Sequence, residues 1–185
     1  MRRILFPLAL CVACGSAAQA AELDINLNDE TGKVMFRSPT DGFGMQNGRV
    51  GVGVLFNEDD DIIGELSLES IGRVSESLRF NVGVKGYVGE LDDADETLTA
   101  IGIGGGVRFS LASTVPLSLA LNGFIAPDIL SFGDPTGVRE FDATVEAEFA
   151  RNAAAYVGYG YMEVKLDGPD AEVRDGAIVG VRLSF

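Results

Sequence analysis

From about position 49 onward, apolar and polar residues alternate with a period of two. Eight stretches carry the pattern: 49–57, 62–72, 78–90, 99–111, 117–125, 138–150, 154–166 and 175–185. That period belongs to extended chain whose two faces meet different surroundings. Leu78, Phe80, Val82, Val84 and Val88 share one parity, as do Ile101, Ile103, Val107, Phe109 and Leu111. The opposite parity carries Arg79, Asn81, Lys85, Arg108 and Ser110. Most stretches have about the length a tilted strand needs to cross a bilayer. The last sets Ala177, Val179, Val181, Leu183 and Phe185 against Gly176, Ile178, Gly180, Arg182 and Ser184, and it stops on an aromatic residue. The connections 73–77, 112–116 and 151–153 are short, whereas 91–98, 126–137 and 167–174 are longer. The exception, 58–61, is short but rich in acids. Short inner turns and longer outer loops are expected of an outer-membrane barrel.

A soluble sandwich or lipocalin-like barrel shows the same alternation with its apolar face inward. The aromatic residues separate the two. On the membrane topology Phe80, Phe109, Phe149, Tyr156 and Phe185 fall on the apolar face near the periplasmic strand ends, and Phe56 and Phe141 lie toward the opposite ends. Rings gathered at one height form an interfacial girdle, which a soluble core has no reason to build. The predicted fold is an all-β, antiparallel, up-and-down transmembrane barrel of eight strands, with ten as the alternative. The alternative arises in 21–48, where Leu23, Ile25 and Leu27 alternate with Asp24, Asn26 and Asn28, and 34–37 resembles a return strand. Both pieces fall below spanning length. The segment is therefore expected to be periplasmic or plugging first, and two extra strands second.

The N-terminus predicts export. Arg2 and Arg3 precede an apolar run over 4–14, then small residues and Ala18-Gln19-Ala20, the pattern of a signal peptide cleaved after Ala20. A lipoprotein acylated on Cys14 is the rival, but Cys11 stands where such signals usually carry Leu. Both cysteines, Cys11 and Cys14, lie in the expected leader, so the mature chain has no disulfide. Losing Arg2 and Arg3 moves the formal charge from −14 to −16, which argues against a nucleic-acid partner. No later apolar run is long enough for a membrane helix, leaving the closed barrel as the only spanning architecture.

Function would have to be written in the lumen. The alternation assigns to it the acids Glu65, Glu69, Glu140, Asp142, Glu146, Glu148 and Glu163 and the bases Arg79, Lys85, Arg108, Lys165 and Arg182. Charges at such density must pair to be tolerated, and Glu65 and Glu69 facing Arg79 and Lys85 fit a salt-bridged core. The stripe Glu140, Asp142, Glu146 and Glu148 has only Lys165 as a nearby base in sequence, so a surplus of negative charge is expected to favour cations. Gly51, Gly53, Gly83, Gly89, Gly102, Gly104, Gly106, Gly176 and Gly180 also point inward on this register. They either leave room for a narrow pore or an inserted N-terminal segment, or relieve crowding in a sharply curved sheet.

At this point the residues resemble a family. Gly83-Val84-Lys85-Gly86-Tyr87, Ala100 through Gly104-Gly105-Gly106, Ala126-Pro127-Asp128, Gly158-Tyr159-Gly160-Tyr161 and the closing Asp175-Gly176 to Ser184-Phe185 look like the YfaZ family of small bacterial exported proteins. The resemblance spans most of 49–185 and implies a Gram-negative outer-membrane barrel of about this size, with no catalytic residues attached. Ala126, where a Ser is expected before Pro-Asp, and the cationic Arg182 depart from the pattern.

Enzyme chemistry finds little support. The chain has no histidine, and none of its cysteines follows position 20, so Ser-His and Cys-His nucleophiles and the usual transition-metal ligands are missing. The acids of the outer loops, Glu58 to Asp61, Asp92, Asp93, Asp95, Glu96, Asp167, Asp170 and Glu172, lack the glycine and terminal glutamate of an EF-hand loop. They read as solvated tips, with loose divalent bridging to lipopolysaccharide as a middle position. No cofactor and no metal site is expected. The expected partners are outer-membrane lipid, lipopolysaccharide and the barrel-assembly machinery, which would read Phe185, and the protein is expected to be a monomer. The function predicted is structural or a narrow cation-favouring passage, against a soluble periplasmic ligand-binding barrel.

Overall fold

Alternating Val, Ile, Leu and Phe with polar residues or glycine favours pleated strands, and in lipid every backbone group of such strands needs a neighbour. The computed structural model describes residues 21–40, 47–59, 61–91, 96–111, 115–133, 135–166 and 168–185. Its strands are β1 (Glu22–Leu27), β2 (Thr31–Pro39), β3 (Gly48–Asn57), β4 (Ile62–Arg73), β5 (Leu78–Leu91), β6 (Glu96–Leu111), β7 (Leu117–Ala126), β8 (Pro135–Ala150), β9 (Ala153–Leu166) and β10 (Ala171–Ser184). Each pairs antiparallel with the next, and β1 pairs with β10, closing the barrel. Ala21, Phe185 and the strand ends joined after β2, β4, β6 and β8 lie at one end, the terminal end. The other strand ends lie at the far end. No helix among the described residues is long and apolar enough to cross a membrane.

The eight predicted strands are present, and the first choice of eight gives way to the ten-strand alternative. Residues 22–39 form a hairpin within the wall, neither a plug nor a separate periplasmic segment. Length misleads here, because β1 has only six residues. It nevertheless matches β10 residue for residue from Glu22↔Ser184 to Leu27↔Val179, and β2 pairs with β3, so the hairpin closes the wall between β10 and β3. Asn28 makes the turn, its Oδ1 accepting the backbone N–H groups of Glu30 and Thr31. Several strands also run further toward the far end than predicted, β6 from Glu96 and β10 from Ala171. Beyond the apolar band, pairing continues although the alternation has faded.

The apolar parity faces outward. Leu66 is 61% exposed, Ile103 59% and Val157 58%, with Val82, Val88, Leu121 and Val179 beside them around the wall. A soluble barrel would turn these residues inward, so that alternative fails and the wall is one suited to lipid. Phe80, Phe109, Phe149 and Phe185 are exposed near the terminal end, as expected of a girdle. Tyr156 is the correction: it is buried in the lumen, with its hydroxyl donating to Asp24 Oδ1 at 2.5 Å.

Candidate functional site

The barrel interior is layered along its axis. The far half is apolar: Leu55, Ile63, Leu98, Val138, Met162 and Val164 are all fully buried and pack into one cluster with Tyr87, Leu91, Ala100, Ala126 and Val173. Each lies within a few residues of its strand's far end, so the cluster is a stopper in the far mouth. Against it sits a ring of four charges. Lys33 Nζ lies 2.8 Å from Glu65 Oε1 and 2.7 Å from Glu140 Oε1. Lys85 Nζ lies 2.9 Å from Glu65 Oε2 and 2.7 Å from Glu140 Oε2. Every carboxylate oxygen faces one ammonium group, and every ammonium bridges both carboxylates. Tyr87 completes the ring by donating its hydroxyl to Glu140 Oε2 at 2.8 Å. Charges this deep persist only when fully matched, and these are.

Nearer the terminal end the pairing continues with arginine, whose planar fork can reach two acids at once. Arg182 holds Glu146 through Nη1 at 2.8 Å and Asp24 through Nη2 at 2.9 Å. Arg37 also reaches Asp24, at 3.3 Å, and Arg108 shares Glu146. Arg49 joins Glu69 at 2.9 Å to Glu22 at 3.1 Å, and Asn81 donates to Glu69 at 2.8 Å. Arg174 belongs to the far half, opposite Met162 and fully buried, and pairs with Asp142. Below this network a cavity of about 280 Å³ opens at the terminal mouth, lined among others by Arg79, Arg108, Arg151, Arg182, Glu146 and Glu148.

Of the predicted lumen residues, Glu65, Glu69, Lys85, Glu140 and Glu146 are buried inside, Asp142, Arg108 and Arg182 line the lumen half-buried, and Arg79 and Glu148 stand at its terminal mouth. Glu65 meets Lys85 as expected, whereas Glu69 takes Arg49 in place of Arg79. Glu163 and Lys165 are corrections. In β9 the even positions Tyr156, Met162 and Val164 point inward, which turns Glu163 and Lys165 to the outside. Glu163 there faces Arg139 at 3.9 Å and accepts a hydrogen bond from Tyr161. Both parities of β9 are apolar over much of its length, so alternation cannot orient it, and charges on its outer face are tolerated because they lie above the lipid-facing band. The expected acidic surplus is also corrected: Glu140, Asp142 and Glu146 each have a base across the lumen, and Lys165 serves none of them.

Sequence reasoning missed Asp24, Lys33, Arg37, Arg49 and Arg174. Lys33, Met35 and Arg37 alternate with Val34 and Phe36, a signal available once β2 is read as wall. Arg174 continues the inward parity of Ile178 and Arg182 but lies one residue outside the predicted stretch 175–185, because β10 begins at Ala171; the register shift falls between Glu172 and Arg174. At several of the inward glycines neighbouring side chains take the space a β-carbon would need. A β-carbon at Gly53 would stand 2.8 Å from Met35 Cε, at Gly102 3.1 Å from the Tyr87 ring, and at Gly104 2.8 Å from the Phe124 ring. These glycines make room for large side chains of neighbouring strands.

A family model described as YfaZ precursor matches residues 3–185. No curated protein matches the chain in sequence. Among solved structures, a bacterial polysaccharide outer membrane secretin aligns at 11% identity and a TM-score of 0.48, over 84% of this chain and 55% of that one. A KdgM porin aligns at 10% identity and 0.47, over 90% of this chain and 99% of that one. The outer membrane channel DcaP of Acinetobacter baumannii aligns at 12% identity and 0.43, over 88% and 54%. The chain thus spans about half the length of the secretin and of DcaP.

Proposed function

The chain belongs to the YfaZ family, and from that premise we propose that it is a non-conducting outer-membrane barrel, a structural element sealed at its far end and open toward the periplasm. The observation that carries this reading is the filled far half, in which six large side chains with no measurable exposure to speak of back onto a closed ring of ion pairs. A hydrated ion would have to displace packed hydrocarbon and then break a matched pair. A narrow cation-favouring passage loses its motive, because the acids meant to select cations are occupied by bases. We assign the terminal end to the periplasm because Phe185 and the shorter connecting segments belong to that end, while acids crowd the sequences that join the strands at the other. Outer-membrane lipid surrounds the wall on this reading, lipopolysaccharide lies near the far-end acids, and a single copy suffices to close the sheet. No catalytic role is proposed.

Purified protein in planar bilayers is expected to give no current steps, whereas Leu98→Ala, which thins the stopper, is expected to flicker. Regular steps from the unaltered chain would overturn the sealed reading. A tag between Asp93 and Ala94 is expected to be reachable outside intact cells and one beside Arg151 unreachable; the reverse labelling would invert the orientation. Phe185→Ser is expected to lower the amount assembled in outer membranes, and unchanged assembly would remove Phe185 as a signal.

A further inference from the structure

The terminal mouth carries more positive charge than its fold needs. Register places Arg73 opposite Arg79, and Arg79 opposite Arg108, so three arginines occupy one row across β4, β5 and β6 on the inward parity. Side chains directly opposite on antiparallel strands stand within about 5.5 Å at their β-carbons, and like charges there repel. Elsewhere in the lumen each base is matched by an acid. In this row only Arg108 has an ion pair among the described residues, and it shares Glu146 with Arg182. Arg73, Arg79 and also Arg151, on the next turn around the mouth, have none among the described residues. Glu148 is the single cavity-lining acid without a base there. The row therefore stores repulsion that a bound anion would relieve, beside a cavity of about 280 Å³. That volume is just below the usual range for small-molecule sites, so the ligand is small.

We propose that this mouth binds a small soluble polyanion bearing two or more carboxylate or phosphate groups, held by forked contacts from Arg79 and Arg108 with Arg73 at the rim. Arginine suits such groups because its donors match their oxygens in pairs. The ligand enters along the barrel axis, since the surrounding wall is an unbroken ladder that admits no lipid headgroup from the side. Binding here is independent of conduction, so the site stands or falls apart from the sealed reading.

The test is calorimetric titration of the detergent-purified full chain, in a low-salt zwitterionic buffer, with pyrophosphate and citrate as probes and glucose as the neutral control. Saturable binding of both anions and none of glucose is expected. Arg79→Gln is expected to lose about tenfold in affinity or more, and Arg79→Lys less, because it keeps the charge without the fork. Arg139→Gln, on the outer wall, is expected to bind as the unaltered chain does. Each variant is first checked for the heat-modifiable band of a closed barrel, and Arg73→Gln replaces Arg79→Gln if the latter does not close. No saturable binding, equal affinity in the Arg79 or Arg73 variant, or an equal loss in Arg139→Gln would overturn the site. Displacement of pyrophosphate by phosphatidylglycerol bicelles would overturn the soluble class of ligand in favour of a lipid phosphate.

Discussion

The two halves of the lumen solve the same problem in opposite ways. Toward the far end, Leu55, Ile63, Leu98, Val138, Met162 and Val164 exclude water by packing, and the Lys33–Glu65–Lys85–Glu140 ring beneath them satisfies every charge with a neighbour. Toward the terminal end, arginines and acids face an open cavity of about 280 Å³, large enough to admit water. A charge left over in the first half would be intolerable, and one left over in the second is merely hydrated. Surplus charge therefore collects at one end, where it can meet something from outside.

This contrast is open to direct attack. Glu140→Ala removes one corner of the dry ring and leaves two buried ammonium groups sharing one carboxylate; it is expected to destabilise the barrel by about 3–5 kcal/mol, read from urea unfolding in detergent micelles. A loss below 1 kcal/mol would mean that water reaches the ring. Leu98→Ala in the stopper is expected to lose about 2–4 kcal/mol by opening a cavity that its neighbours only partly fill, measured the same way. Tyr156→Phe, at the boundary, takes a hydroxyl from Asp24 but leaves Arg37 and Arg182 on that carboxylate, so about 1–2 kcal/mol is expected. Glu148→Gln at the wet mouth is expected to change stability by less than about 0.5 kcal/mol. If Glu148→Gln rivalled Glu140→Ala, the division into dry and wet halves would be wrong.

Much of this was legible in the sequence, and the reasons it stopped being so are physical. Alternation orients a strand when its faces meet lipid and a polar interior, which is why β5 and β6 read correctly from Leu78 to Leu111. In β9 the interior is itself apolar around Met162 and Val164, the contrast between faces disappears, and Glu163 and Lys165 are assigned to the wrong side. The stopper is hidden for the same reason, since its residues look like a second lipid-facing parity. Pairing across the lumen is hidden differently: Lys33 and Glu140 are far apart in sequence, and only closure brings them to 2.7 Å. A charge balance made along neighbouring strands therefore reports a surplus on β8 that the closed barrel does not have. The arginine row, by contrast, follows from the register of adjacent strands alone.

The seam between β1 and β10 sets the order in which the wall can be completed. Phe185 donates its backbone N–H to the carbonyl of Ala21 at 2.9 Å, joining positions separated by nearly the whole chain. Contacts of that separation form late, because the loop they close is the largest available. Until then the growing sheet has two bare edges, each a template for any other extended chain. The six-residue β1 is thus a cap as much as a wall segment. A chain deprived of it would bare the edge of β10 from Val179 to Ser184, and its characteristic failure would be strand exchange between copies before any loss of the packed interior.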